Sequence, residues 1–232
     1  MKPRSDSTGH PIFPHGPLVE LARGVWQVKG SLQIPVPRNM TVVRTAEREL
    51  VLYSVIALEE VGMSALEALG EPRFMVIPHR RHQLDAPFYK ARYPALRVVA
   101  PVPSRVRLTV DAGLDVLRGA GIEAFVLPGN DHEDVVMEVP FDDGRALVVC
   151  ESLGNVKMSG ALSVLLRVLG PPGGGFGVAR AVRLREIADR AQLRDWLRAQ
   201  ARRSDLRALL FGHGEPMLGN VTAALERAAT QV

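Results

Sequence analysis

Arg73-Phe74-Met75-Val76-Ile77-Pro78-His79-Arg80-Arg81-His82-Gln83 is the stretch on which the reading of the fold turns. Phe74 to Ile77 is a short apolar run that halts at Pro78, the mark of a buried strand with a turn signal at its end. A polar loop from Pro78 to Asp85 follows, then a short helix running into Tyr93-Pro94, then a second strand from Leu96 to Ala100. Two strands joined through a helix run parallel, because a short hairpin cannot return the chain in the same direction.

Upstream, Ser64-Ala65-Leu66-Glu67 reads as a capping box, with an apolar stripe at Ala65, Leu66 and Leu69 and a stop at Gly70 and Pro72. Glu49 to Ser54, Met40 to Arg44 and the Val25-Trp26-Val28 segment are strand candidates. Pro3, Pro11, Pro14 and Pro17 with Gly9 and Gly16 predict a flexible tail over residues 1–23 that carries His10 and His15 in solvent. A single domain over 24–232 is expected beyond it.

Downstream, Ile122 to Leu127, Val135 to Phe141 and Arg145 to Cys150 are strands, and Asp142-Asp143-Gly144 is a hairpin signal between the last two. Ala161 to Leu169 is apolar and helical in character. Gly170 to Gly177 lacks the Lys-Ser/Thr of a phosphate loop and reads as a linker or lid. Two apolar stripes between Ala179 and Arg203 predict two helices or one kinked near Ala191. Leu206 to Phe211 is a strand that leads into Gly212-His213-Gly214 and a C-terminal helix. Two halves, each of strands followed by helices, point to two sheets flanked by helices.

Composition narrows the function. With 47% hydrophobic and 23% charged residues, the 232-residue chain belongs with soluble globular proteins. The net charge of +4 arises from 29 basic against 25 acidic residues, and Arg180 to Arg207 is interleaved with acids. That mixture reads as a solvated helix face, and no nucleic-acid partner is expected. No apolar run reaches the ~20 residues of a membrane span, so no membrane partner is expected either. The first 24 residues carry no legible cleavable signal. One cysteine, Cys150, lies in an apolar strand and fits a core position in a reducing, cytoplasmic setting. Trp26 and Trp196 read as core or interface anchors.

Beyond the tail there are four histidines: His79, His82, His132 and His213. Each follows a predicted strand, as does Glu151. Loops at strand ends are where α/β architectures place function, and imidazole with carboxylate suits Zn, Fe or Mn. Each residue alone also fits a plain role: a loop histidine at the surface, or a glutamate capping a helix. Arg80 and Arg81 beside the first two histidines would repel a cation unless they point away.

These segments resemble the metallo-β-lactamase superfamily in its degenerate branch, which is catalogued as a domain of unknown function. Gly144 to Glu151 resembles the superfamily strand whose terminal Asp bridges two metals. Leu210-Phe211-Gly212-His213-Gly214-Glu215-Pro216 resembles its closing Pro-Gly-His-Gly motif, and Pro128-Gly129-Asn130-Asp131-His132 sits where the family has Gly-His. Where the family has His-x-His-x-Asp-His, this chain has Pro78, Arg80, His82 and Gln83 at the ligand positions. Arg38 to Arg44, Ser54 to Leu58, and Glu151 with Asn155 also look like the degenerate branch. The resemblance covers about residues 24–229.

The resemblance implies an α+β fold, a four-layer αββα sandwich of two mixed sheets flanked by helices. It implies one divalent metal, zinc first with iron or manganese as alternatives, held by His82, Glu151 and His213, or no metal if the site has been lost. His132 would be a remnant ligand of the other metal site or face the substrate together with His79. Asp85 or Asp131 would serve as general base. The function implied is hydrolysis of an ester, thioester or lactone-type bond in an unknown small-molecule substrate by one metal-bound water. The alternative is an inactive binding or scaffold domain; a third reading is a nucleic-acid-processing member. Homodimerisation stays open.

Overall fold

The computed structural model of the chain describes residues 4–5, 9–32, 37–131, 133–156, 170–171 and 175–232. They form two units, Met1–Ile122 and Glu123–Val232.

In the first unit, β1 (Arg4–Ser5) pairs with β2 (Pro11–Ile12). A mixed sheet then follows in chain order: β3 (Val19–Ala22), β4 (Val25–Gly30), β5 (Arg38–Arg44), β6 (Glu49–Tyr53), β7 (Glu71–Val76) and β8 (Arg97–Val99). The first four strands are antiparallel, and β6, β7 and β8 are mutually parallel. Helices α1 (Glu60–Leu69) and α2 (Ala86–Arg92) make the two crossovers, the second of them as the Arg73 to Ala100 pattern predicts. Leu50, Leu52, Met75, Val98, Met63, Leu66 and Tyr89 are fully or almost fully buried in one apolar cluster. Sheet and helices are therefore held by the same core.

Two local expectations change. Helix α1 starts at Glu60, four residues before the Ser64 cap, and Ser64 lies inside it. The Met63 N–H donates to Glu59 O at 2.9 Å, and the buried Met63 and Leu66 form the stripe that outweighs the cap signal. Gly70 does follow the last helical residue, and it must be glycine because a Cβ there would collide with the Arg48 carbonyl oxygen. Strands also lie within the segment read as a tail. Ile12 and Leu18 pack on the core, His10 Nε2 lies 2.9 Å from Asp85 Oδ1, and His15 Nε2 accepts the Glu59 N–H at 2.9 Å. A Pro- and Gly-rich composition reads as loop, and here a few apolar contacts and two imidazoles tie that loop down.

In the second unit, five strands lie in the order β15-β14-β11-β10-β9. They are β9 (Glu123–Val126), β10 (Val135–Phe141), β11 (Gly144–Val149), β14 (Leu206–Phe211) and β15 (Met217–Leu218). Between them, β12 (Gly154–Val156) pairs with β13 (Gly175–Gly177). The two-residue turn Asp142-Asp143 joins β10 to β11, with Asp142 at φ 48°, as the hairpin signal predicts. Strands β11 and β14 are parallel and central, and Leu147, Val148, Leu209 and Leu210 are wholly buried. Such continuous apolar runs are what a parallel strand covered on both faces requires.

The Arg-rich region forms two helices, α3 (Arg180–Arg185) and α4 (Arg190–Ala201), and the chain ends in α5 (Val221–Gln231). Asp189 caps α4 by accepting the Gln192 N–H at 3.0 Å. Leu193, Leu197, Ala201, Leu225 and Ala228 are buried with Leu209 and Phe211. Cys150 and Trp26 are buried, and the Trp196 ring packs edge-on against Phe125. The helical expectation for Ala161 to Leu169 and part of the glycine-rich segment lie outside the described residues. Among the described residues no helix is long and apolar enough to cross a membrane.

Candidate metal centre

Parallel register brings two of the expected ligands together. In the β11–β14 pair Val149 faces Phe211, so Glu151 and His213, each two residues farther on, leave the sheet at the same edge. Glu151 Oε1 and His213 Nε2 stand 3.5 Å apart, with side chains 12% and 21% exposed. That separation is long for a hydrogen bond. It is close to the ~3.3 Å between two ligand atoms that each lie about 2.0 Å from one tetrahedral cation. A carboxylate oxygen and an imidazole nitrogen are also the mixed donor set that Zn, Fe or Mn accepts, so the residues present fit a cation.

The backbone around both residues is clamped. Asp134, which sequence reasoning missed, accepts the Glu151 N–H through Oδ1 at 3.2 Å and the Ser152 N–H through Oδ2 at 2.7 Å. Asp134 is 1% exposed, and burial pushes its carboxyl up to about 6 against the lowering effect of its bonds to Ser152 and Glu151. The Asn130 amide donates to Ser152 Oγ at 2.9 Å, which fixes the same turn from the other side. On the His213 side, Asn155 donates its N–H to His213 O at 3.2 Å and its side-chain amide to Glu215 O at 2.9 Å. Gly214 sits at φ 96°, and a Cβ there would collide with the Asn155 carbonyl oxygen. The flanking glycines of Gly212-His213-Gly214 thus serve close approach: a Cβ at Gly212 would lie 3.2 Å from Cys150 Sγ.

Asp131 is exposed on the loop before Asp134, and its N–H donates to Glu186 O at 3.3 Å. His132 lies outside the described residues. The one sequence signal for Asp134 is its place at the end of a polar run just ahead of β10.

In the first unit, His82 is partly buried on the loop after β7, and its Nδ1 lies 2.7 Å from Ser54 Oγ. Ser54 holds a left-handed backbone at φ 58° just past β6, which turns its hydroxyl to that loop. His79 is buried, and its Nδ1 accepts the Arg81 N–H at 3.3 Å. Asp85 is fully buried. Its Oδ1 meets His10, while Oδ2 accepts the Ala57 N–H at 3.0 Å and pairs with Arg38 Nη2 at 2.6 Å. Both oxygens of Asp85 therefore tie the N-terminal strands, β5 and the segment after β6 to α2. Gln83 bridges its own loop to the next: its amide donates to Arg80 O and its Oε1 accepts the Arg107 N–H at 2.8 Å.

No protein-family model matches the chain, and no curated protein matches it by sequence. Solved structures do resemble it. The FIM-1 metallo-β-lactamase of Pseudomonas aeruginosa in its mono-zinc form superposes at TM-score 0.60 with 15% identity, over 93% of this chain and 96% of that one. An NDM/FIM-1-like metallo-β-lactamase of Erythrobacter litoralis, also in a mono-zinc form, gives TM-score 0.59 with 16% identity over 93% and 96%. The DIM-1 metallo-β-lactamase gives 0.62 with 14% identity over 94% and 99%. The chain has the fold of the metallo-β-lactamase superfamily, an α+β architecture of mixed sheets with flanking helices.

Proposed function

We propose that this protein is a metal-dependent hydrolase of an ester, thioester or lactone-type bond, with His82, Glu151 and His213 as the ligands of one divalent cation. The observation that carries the reading is the 3.5 Å approach of Glu151 and His213 at the shared edge of two parallel strands. With Nδ1 of His82 held by Ser54, Nε2 is the nitrogen that would face the cation, the usual division of labour between a ligand histidine and its support. Zinc is the first choice of ion, since three protein ligands with an open position suit its catalytic sites. When bound, the cation supplies Lewis acidity for a carbonyl and activates water near neutral pH.

The chain's own groups do the rest. Asp134 and Asn155 hold the two ligand loops, so neither must reorganise when the ion enters. Of the two carboxylates considered for proton transfer, Asp131 is exposed and Asp85 is committed to Arg38 and Ala57. We assign proton transfer to Asp131 and an anchoring role to Asp85. Cytoplasmic residence is proposed on the one buried cysteine.

The test is metal analysis of protein purified without chelator, together with turnover of an aryl ester, a thioester and a lactone. About one ion per chain, with metal and turnover lost together in His213→Ala, is expected. Wild-type metal content in that variant would refute the assignment. The inactive-scaffold reading draws on Pro78, Arg80 and Gln83, which stand where the superfamily has ligands. It predicts substoichiometric metal and no thermal shift when metal is added.

A further inference from the structure

Arg80 and Arg81, which a cation site would repel, line a groove of their own within the first unit. It has a volume of about 730 Å³ and is bounded by Arg80, Arg81, Arg105 and Arg107 with Leu84, Leu108 and others. Among the described residues no acidic side chain lines it. Its volume lies in the range of small-molecule sites, far below what a folded nucleic acid needs.

The groove is built by the fold. One wall is the loop from Arg80 to Leu84, the other the segment from Arg105 to Leu108, and the Gln83 side chain bridges them through Arg80 O and the Arg107 N–H. The Val106 N–H donates to Ser104 Oγ at 3.2 Å, and Val106 and Leu108 pack on the core of the unit. The arginine backbones are thus fixed while Arg81, Arg105 and Arg107 remain exposed. Leu84, 45% exposed, adds an apolar surface on the same wall.

We infer that this groove binds a small organic phosphate monoester, with the phosphate among the arginines and an apolar segment against Leu84 and Leu108. Four guanidiniums exceed what a single carboxylate can engage, whereas a phosphate monoester presents three terminal oxygens and nearly two negative charges. Leu84 and Leu108 supply contact area that an inorganic ion would leave unused. The groove is lined by residues other than the three proposed ligands, although Arg81 and Gln83 adjoin His82, and binding there does not depend on a metal.

Calorimetric titration of the full chain in EDTA tests it, with hexyl phosphate, inorganic phosphate, adipate and a short single-stranded oligonucleotide as probes. Hexyl phosphate is expected to saturate one site per chain, roughly tenfold tighter than inorganic phosphate, and to weaken with added salt. Arg105→Gln with Arg107→Gln is expected to lower its affinity by at least about tenfold at unchanged Tm, since both side chains are exposed. Arg81→Gln alone provides a second check from the opposite wall, and Leu84→Ser should erase the advantage over inorganic phosphate. Equal binding by wild type and both arginine variants, no saturable binding of hexyl phosphate, or a preference for adipate or the oligonucleotide overturns the inference.

Discussion

The two units use their strand ends in opposite ways. After β11 and β14, the holding is done by neighbours: Asp134 takes the backbone of Glu151 and Ser152, and Asn155 takes the backbone around His213. The side chains of Glu151 and His213 approach each other to 3.5 Å. After β7, the loop's own side chains do the holding. Asp85 pairs with Arg38, Gln83 bridges two loops, and His79 is buried. His82 is the exception, held through Nδ1 by the Ser54 hydroxyl at 2.7 Å. Polar side chains at a strand end can thus serve either to hold the backbone or to be held by it, within the same fold.

The contrast breaks most sharply at Asp85. Asp85→Ala leaves Arg38, 7% exposed, without its carboxylate in the core. It is expected to cost about 3–5 kcal/mol in urea unfolding. A loss below about 1 kcal/mol would mean that the loop after β7 is not structural in this sense.

Gly214→Ala comes next. The left-handed backbone and the collision with Asn155 should cost about 1–3 kcal/mol, and displacement of His213 should weaken zinc binding as well. Asp134→Asn acts mainly on the site. The substitution replaces one of the two accepting oxygens with an NH2 donor that faces a backbone N–H, so zinc affinity is expected to fall roughly 10–100-fold. Equal affinity in a zinc titration would show that the clamp is irrelevant to the ligand.

The smallest effect is electrostatic. Hydrogen bonding to Arg203, opposed by partial burial and aided by Arg145, holds the Glu138 carboxyl below its usual range. As pH falls, the unfolded chain takes up this proton first, at about pH 4.3. The pair's contribution is therefore complete above that pH and is lost as pH drops through the lower folded value. Glu138→Gln should cost up to about 1 kcal/mol at pH 7 and flatten the acid limb of the stability profile. An unchanged limb would show that the pair contributes nothing.

Much of this was legible in the residues. Apolar runs bounded by turn residues give β10, β11 and β14 nearly to the residue, since strands inside a sheet are largely buried. That Glu151 and His213 each follow a strand is legible in the residues, but their equal distance past it is not: the apolar run extends to Cys150, whereas β11 ends at Val149. Asp134 was hidden because its partners are backbone N–H groups that no sequence spacing marks. The roles of Asp85, Gln83 and residues 9–22 were hidden for a related reason. A buried ion pair to Arg38 and an imidazole reaching from His10 join positions far apart in the chain, and a polar loop composition says nothing of them.

Zinc-edge X-ray absorption on the loaded protein bears most directly on the assignment of His82, Glu151 and His213. Two imidazole nitrogens and one carboxylate in the ion's inner sphere are expected, with one imidazole fewer in either His82→Ala or His213→Ala. A wild-type spectrum without imidazole scattering, or one that neither substitution alters, would contradict it.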